Sequence, residues 1–436
     1  MMVSRWCCLL VFLSGTWLAA SAADPPVTAD QHVLDEVRGL LRTVPLIDGH
    51  NDTPWALRDR FSNRLAGFDF RDTSGLEEPM HTDLQRLRAG GVGGQFWAVY
   101  VPADLAGGDA VSAALEQVDV VYRLTAAYPE DLEMAFTAAD VRRIHAASRT
   151  ASLIGIEGGH CINNSLAVLR QLFALGARYM TLSHWASTDW VDAATAAPQF
   201  DGLSPFGEAV VREMNRLGML VDLSHVSADA MRDALAVTRA PVIFSHSCAR
   251  AINPHPRNVP DDVLRLLPAN GGVVMVNFGS YFVDPEVTER AAAASGERAR
   301  LEDLYPGDPE RVDREEEIWL EAHPIPEVSL AELADHVDHI RAIAGIDHVG
   351  LGSDFDGVRS LPDGMQDVSG YPVLLAELMR RGYTRDELAK VAGLNVLRVM
   401  EEAERVAAEL QASEEPLEVL FEDVMGDGES ETSDDT

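Results

Sequence analysis

From residue 44 onward, short and wholly apolar runs alternate with longer segments whose apolar positions recur at helical spacing. The runs are 44–47, 95–101, 153–156, 179–182, 220–223, 242–244, 273–278 and 349–351. Between them lie amphipathic stretches such as 165–175, 207–217, 228–237, 260–267 and 330–344, and a short helix is expected at 30–42, ahead of the first run. Runs rich in Val, Ile and Leu without polar alternation are strands buried on both faces, and strands separated by helices form a parallel sheet. Eight of them over roughly 350 residues predict an α/β chain folded as a (β/α)8 barrel of the TIM type, with its insertions in the loops that follow the strands. A doubly wound open sheet is the alternative.

Two long interruptions break the rhythm, 58–84 after the first run and 284–328 after the seventh. The second is densely charged and holds Pro285, Pro306, Pro309, Pro324 and Pro326. It reads as a surface excursion near the barrel mouth, hence a candidate lid. At the N-terminus Arg5 precedes an apolar run from Trp6 to Leu18 and then small residues around Ala22 and Ala23. That order is a secretory signal, too short for a membrane span. The expected organisation is a signal peptide at 1–23, one barrel domain at 24–412 and an acidic, disordered tail at 413–436. The product is an exported protein, periplasmic or secreted, without a stable membrane anchor.

Charge and composition narrow the partners. The 436 residues carry a formal net charge of −35 with 47% hydrophobic content, so a large core is available while nucleic acid and anionic lipid are disfavoured. Beyond the signal only Cys161 and Cys248 remain, too few for a disulfide framework. Each closely follows a candidate ligand, but small buried residues are the favoured reading. Lys390 is the only lysine and sits in a helical pattern, which removes Schiff-base chemistry and a lysine bridge between metals.

Polar residues follow the apolar runs with regularity. The first run opens into His50 and Asp52, the third into Glu157, the fourth into His184, the fifth into His225, the sixth into His246 and the last into Asp354 and Asp356. In a parallel barrel the C-terminal strand ends share one mouth, so residues far apart in sequence converge there. Buried imidazoles and carboxylates in such number need partners or a metal. The donor types suit zinc, with manganese or cobalt as alternatives, and their number exceeds the needs of one tetrahedral ion. The division expected is His50 and Asp52 on one ion, His225 and His246 on a second, and Glu157 bridging. Asp354 then serves as the proton shuttle and His184 as a donor to the developing oxyanion. In the proline-stiffened loop after the sixth run, Arg257 can fork onto a substrate carboxylate, unless it is tied to a neighbour such as Asp261. His255 ranks below it.

These segments resemble the membrane (renal) dipeptidase family of zinc peptidases. The likeness rests on Ile47-Asp-Gly-His-Asn-Asp-Thr-Pro-Trp55, Leu153-Ile-Gly-Ile-Glu-Gly-Gly-His160, Tyr179-Met-Thr-Leu-Ser-His184 and Gly202-Leu-Ser-Pro-Phe-Gly207. It continues through Val221-Asp-Leu-Ser-His-Val-Ser227, Val242-Ile-Phe-Ser-His-Ser247, Arg257-Asn-Val-Pro-Asp-Asp262 and Gly350-Leu-Gly-Ser-Asp-Phe-Asp-Gly357. The resemblance implies a barrel with two zinc ions that hydrolyses dipeptides, often accepting a D-residue at the C-terminal position. By matching position it implies His50, Asp52, Glu157, His225 and His246 as ligands, His184 and Arg257 against substrate, and Asp354 as the catalytic acid and base. The chain departs from the family in three ways. Its tail is acidic rather than a lipid-anchor signal, the mammalian disulfide cysteines are unmatched, which leaves at most a non-covalent homodimer, and the excursion at 284–328 is long.

The expected function is therefore a metallodipeptidase. An N-acyl amino acid deacylase or a β-lactam or lactone hydrolase on the same metal pair is the alternative. A non-catalytic protein with structural zinc is disfavoured, because structural zinc fills its coordination with protein ligands while proton-transfer and carboxylate-binding partners stand ready here.

Overall fold

The computed structural model describes residues 31–426. The expected signal peptide and the end of the acidic tail, 427–436, lie outside the described residues. The strands are β1 (Leu46–Asn51), β2 (Val92–Tyr100), β3 (Leu132–Met134), β4 (Thr150–Glu157), β5 (Ala177–Thr181), β6 (Leu220–Asp222), β7 (Ile243–Phe244), β8 (Val273–Val276) and β9 (Val349–Leu351). Every pairing between them is parallel. The sheet runs β2-β1-β9-β8-β7-β6-β5-β4 and closes through β2 on β4. The eight predicted runs thus form the closed eight-stranded barrel, and the open-sheet alternative falls. The short β3 was not anticipated. It pairs with Thr150–Ser152 of β4, while β5 takes the same strand further along, from Ile154.

Side-chain parity decides what the barrel holds. One core cluster takes Ile47, Phe96, Leu153, Tyr179, Leu220, Ile243, Val273 and Met275, one or two from nearly every strand. Their immediate neighbours Leu46, Trp97, Ile154, Met180, Val221, Phe244 and Val274 belong to the other cluster, shared with the surrounding helices. Alternate residues of a strand face opposite sides, so the first set fills the barrel interior in layers. Continuing the same parity toward the C-terminal ends brings Glu157, Asp222, Ser245 and Asn277 to the inward face. The interior is apolar at one end and polar at the other.

Gly155, inward on β4, shows how tightly these layers fit. A Cβ there would sit 2.0 Å from Cζ of Tyr179, so only glycine lets that ring cross the barrel. At the apolar end, Val396, Val399 and Met400 of the helix Asn395–Ser413 complete the inner cluster.

The excursion is a helical hairpin, Pro285–Leu304 and Pro309–Ala322, each helix opened by an aspartate cap and a proline. Only Val287, Leu301 and Val312 of it are buried, and Arg298 ties the two helices through Asp313 and Glu316. The acidic segment expected to leave the fold at 413 stays on it further than its charge suggests. The backbone N–H of Leu417 donates to Glu213 and its carbonyl accepts from Arg170, both about the barrel wall. The Phe421 ring packs 5.3 Å from Phe206, so the hydrogen-bonded Leu417 backbone and one aromatic contact hold the segment to the wall despite the surrounding carboxylates. Among the described residues no helix is long and apolar enough to cross a membrane.

Candidate functional site

The polar ends of the strands meet at one mouth, in a cavity of about 220 Å³ lined by Asp52, Glu157, His184, His225, His246, Arg257 and Asp354. His50 lies directly beneath. Glu157 is the centre of the arrangement. Its Oε2 is 3.5 Å from His50 Nε2, and its Oε1 is 3.2 Å from His225 Nε2 and 3.5 Å from His246 Nε2. His50 Nε2 in turn stands 3.3 Å from Asp52 Oδ2. The two oxygens of one carboxylate therefore face different histidines, although the rings of His50 and His246 lie only 3.8 Å apart.

His184 does not stand apart from these groups as expected. Its Nε2 is 3.5 Å from Glu157 Oε1 and its ring lies 4.3 Å from that of His225. Asp354 is likewise close enough to His50 and Asp52 to share an ion with them. Asp356, the other carboxylate of that loop, is elsewhere. It accepts from Thr53 Oγ1 and the His81 backbone and braces β1 against the loop that follows β9. Lys390 pairs with Asp347 at 2.6 Å, away from the mouth, and the two described cysteines are buried and unpaired.

Burial shapes the protonation of the cluster. It holds His184, His225 and His246 well below the ordinary imidazole range, with the nearby Arg257 charge acting in the same direction. His50 goes the other way. Burial opposes its charged form, but Tyr179, Glu157 and Asp52 around it lift it well above that range. Burial and then the neighbouring Asp52 raise Asp354 to about 6. Two of the residues, His225 and Asp354, sit at φ 70° and 66°, a left-handed conformation that costs non-glycine residues about 1–3 kcal/mol and is concentrated at functional sites.

Arg257 is 1% exposed and reaches inward from its loop. Its Nη1 donates to Ser247 Oγ and its Nη2 to the His246 carbonyl, both at 3.3 Å, while Nε has no partner among the described residues. Asp261 pairs with His339 and Arg265 instead, which removes the local alternative. His255 accepts from the Arg257 backbone N–H at 3.2 Å and packs on Phe282, supporting the loop from outside the cluster.

Several functional neighbours were not singled out in the sequence. Trp55, Tyr100, Trp185, Tyr281 and Phe282 wall the cavity, and Gly357 opens it; a Cβ on Gly357 would lie 2.2 Å from Asp52 Oδ2 and 2.6 Å from Asp354 Oδ1. Asn277 donates to Asp354 Oδ2 at 2.8 Å, and its own carbonyl oxygen takes the Gly279 N–H at 2.6 Å. The second and seventh apolar runs had offered no chemistry. Their ends supply Tyr100 and Asn277, a signal present in the sequence as polar residues closing otherwise apolar strands.

The donor set fits divalent metal. Imidazole nitrogens and carboxylate oxygens converge in three groups within 4.8 Å, His50–Glu157–His246, Glu157–His184–His225 and His50–Asp52–Asp354, and buried acids and bases without a cation would repel or strand one another. Residues 34–414 match the model of the membrane dipeptidases, peptidase family M19. The chain belongs to that family. Dipeptidase 3 of Rattus norvegicus is 40% identical over 399 residues, which span 90% of this chain and 72% of the rat protein. Dipeptidase verJ of Clonostachys rogersoniana is 38% identical over 415 residues, covering 92% of this chain and 96% of its own. Among solved structures, the metallopeptidase of Rhodobacter sphaeroides bound to a phosphinate mimic of L-Ala-D-Ala superposes with a TM-score of 0.68 at 26% identity, over 83% of this chain and 99% of that one. The probable dipeptidase PvdM of Pseudomonas aeruginosa gives 0.73 at 26% identity, over 86% and 100%. The barrel is thus that of a metallopeptidase, and the chain is a hydrolase of the dipeptidase class.

Proposed function

We propose that this dipeptidase works with two zinc ions, one held by His50, Asp52 and Glu157 and the other by Glu157, His225 and His246. The observation that carries the reading is the split of Glu157, with Oε2 toward His50 and Oε1 toward His225 and His246. A metal pair there supplies Lewis acidity and lowers the pKa of water toward neutrality.

The protein's own residues account for the rest. Asp354, which lines the cavity with its Oδ2 held by Asn277, takes a proton from the attacking water and returns it to the leaving nitrogen. His184, kept neutral by burial, donates a hydrogen bond where negative charge develops on the scissile carbonyl oxygen. Arg257 receives the terminal carboxylate, which in a free dipeptide lies one residue from the scissile bond. A longer peptide would bring an uncharged amide to the same place, so cleavage is confined to dipeptides. Acceptance of a C-terminal D-residue is supported by the L-Ala-D-Ala mimic bound to the Rhodobacter sphaeroides relative. The leader at Arg5 to Ala23 supports export of the protein to the periplasm or medium.

Metal analysis together with hydrolysis of Ala-D-Ala, Ala-Ala, N-acetyl-Ala and Ala-Ala amide tests the reading. Two zinc equivalents and turnover of the free dipeptides are expected. Preferred turnover of N-acetyl-Ala would overturn it in favour of a deacylase.

A further inference from the structure

We infer that Asp222 and Ser245 form a relay that fixes the His246 ring in the tautomer a metal ion requires, an inference that rests on the metal centre proposed above. Both residues face inward one layer beneath the donors, at the ends of β6 and β7, and both are fully buried. On Asp222, Oδ2 accepts from Thr181 Oγ1 at 2.5 Å and from Ser245 Oγ at 2.6 Å, while Oδ1 accepts from the backbone N–H of Ser224 at 3.1 Å and of Ser245 at 2.8 Å. Four donors surround this carboxylate, which therefore acts only as an acceptor.

A serine hydroxyl carries a single proton. Asp222 takes the one on Ser245, so toward His246 Nδ1, 2.8 Å away, Ser245 Oγ can only accept. The ring proton must then lie on Nδ1. The lone pair is left on Nε2, which faces His225 Nε2 at 3.0 Å and Glu157 Oε1 at 3.5 Å. This is the orientation by a polar partner that ligating histidines generally show.

The other histidines are held differently. His50 Nδ1 meets the Tyr179 hydroxyl at 2.8 Å. His225 Nδ1 has no partner among the described residues, and its ring is fixed by contact with His184 at 4.3 Å and Trp185 at 5.3 Å. In the division proposed above the relay acts on the ion of His225 and His246, while His50, whose ring lies 3.8 Å from that of His246, keeps its own partner in Tyr179. Asp222→Asn reverses the relay. The amide oxygen can keep the two backbone donors, which turns the amide nitrogen toward Ser245 Oγ. Ser245 then donates a hydrogen bond to His246 Nδ1, which must offer its lone pair, so the ring hydrogen moves to Nε2, the ligating atom.

The test is a Zn²⁺ titration of the metal-stripped full-length protein against a chromophoric chelator, with circular dichroism confirming the fold of each variant. Wild type is expected to bind two ions. Ser245→Ala should weaken one of them about 10–100-fold and leave the other within about twofold, and Asp222→Asn should weaken that same ion further. Unchanged affinities, or equal weakening of both ions, overturn the relay. If Ser245→Ala does not fold, the isosteric Asp222→Asn decides on the same readout. Failure of the wild type to bind two ions would overturn the metal centre itself and leaves a different signature.

Discussion

Arg257 and Asp354 divide binding from chemistry. Arg257 is buried with one guanidinium nitrogen unpartnered among the described residues, so a substrate carboxylate would be its natural complement. Losing a hydrogen-bonded charge contact costs about 1.5–3 kcal/mol, so Arg257→Ala should lower kcat/KM for Ala-Ala roughly 10- to 150-fold, mostly through KM. The wild-type preference for Ala-Ala over its amide should vanish with it, and unchanged discrimination would remove Arg257 from carboxylate binding. Asp354→Asn keeps the hydrogen-bond geometry but cannot accept a proton. General acid–base groups contribute about 10²–10⁴ in rate, so kcat should fall by that order while zinc content, measured by emission spectroscopy, stays at the wild-type level. An active variant would end the proton-transfer role. Asn277, which aims Asp354, was within reach as a polar residue closing an apolar strand, whereas a tryptophan such as Trp55 or Trp185 is ordinary until its neighbours are known.

Among the elements, the strands were legible and their short companion was not. β4 and β8 are buried along their whole length, and that burial wrote the apolar runs 153–156 and 273–278 into the sequence. β3 is three residues long and only Leu132 of it is buried, too little pattern to register. Gly155 on β4 makes a sharper case. Overpacking a filled core costs about 1–3 kcal/mol, so Gly155→Ala should lower the unfolding free energy measured by chemical denaturation by that amount as Tyr179 is displaced. Because Tyr179 supports His50, zinc retention should fall as well. Wild-type stability in this variant would show that the ring can move aside freely. The hairpin 285–322 was readable as a charged, proline-marked excursion, but its helical form came from the aspartate caps and prolines acting with the neighbouring wall.

For the whole molecule, the buried imidazoles couple stability to pH. His184, His225 and His246 are held well below the ordinary range by burial, and His255 and His336 are held near 4 by the same cause. In the unfolded chain each would protonate near 6.5, so below that pH the unfolded state binds more protons and stability falls. His50 and Asp354, both raised, act in the opposite sense but are outnumbered. The urea midpoint of the metal-free protein should therefore drop between pH 7 and pH 5. A flat or rising midpoint would show that these rings are not neutral in the folded state. Zinc at a hundredfold excess over its dissociation constant should add about 2.7 kcal/mol per site at pH 7, read as a higher melting temperature that chelation reverses.

Read by itself, the chain determined the barrel and pointed to the imidazoles and acids that gather at its mouth, but not to the aromatic side chains that wall it. Strands buried on both faces must be apolar throughout, and a polar residue closing such a strand stands out against it. Spacing along the chain could not decide how those groups pair in three dimensions. That Glu157 turns its two oxygens to different histidines, that His184 joins them, that Asp356 does not, and that Asp222 reaches His246 through Ser245 all depend on strand register and side-chain parity across the closed ring. Those contacts join residues tens to hundreds of positions apart, and only the closed barrel sets their distances.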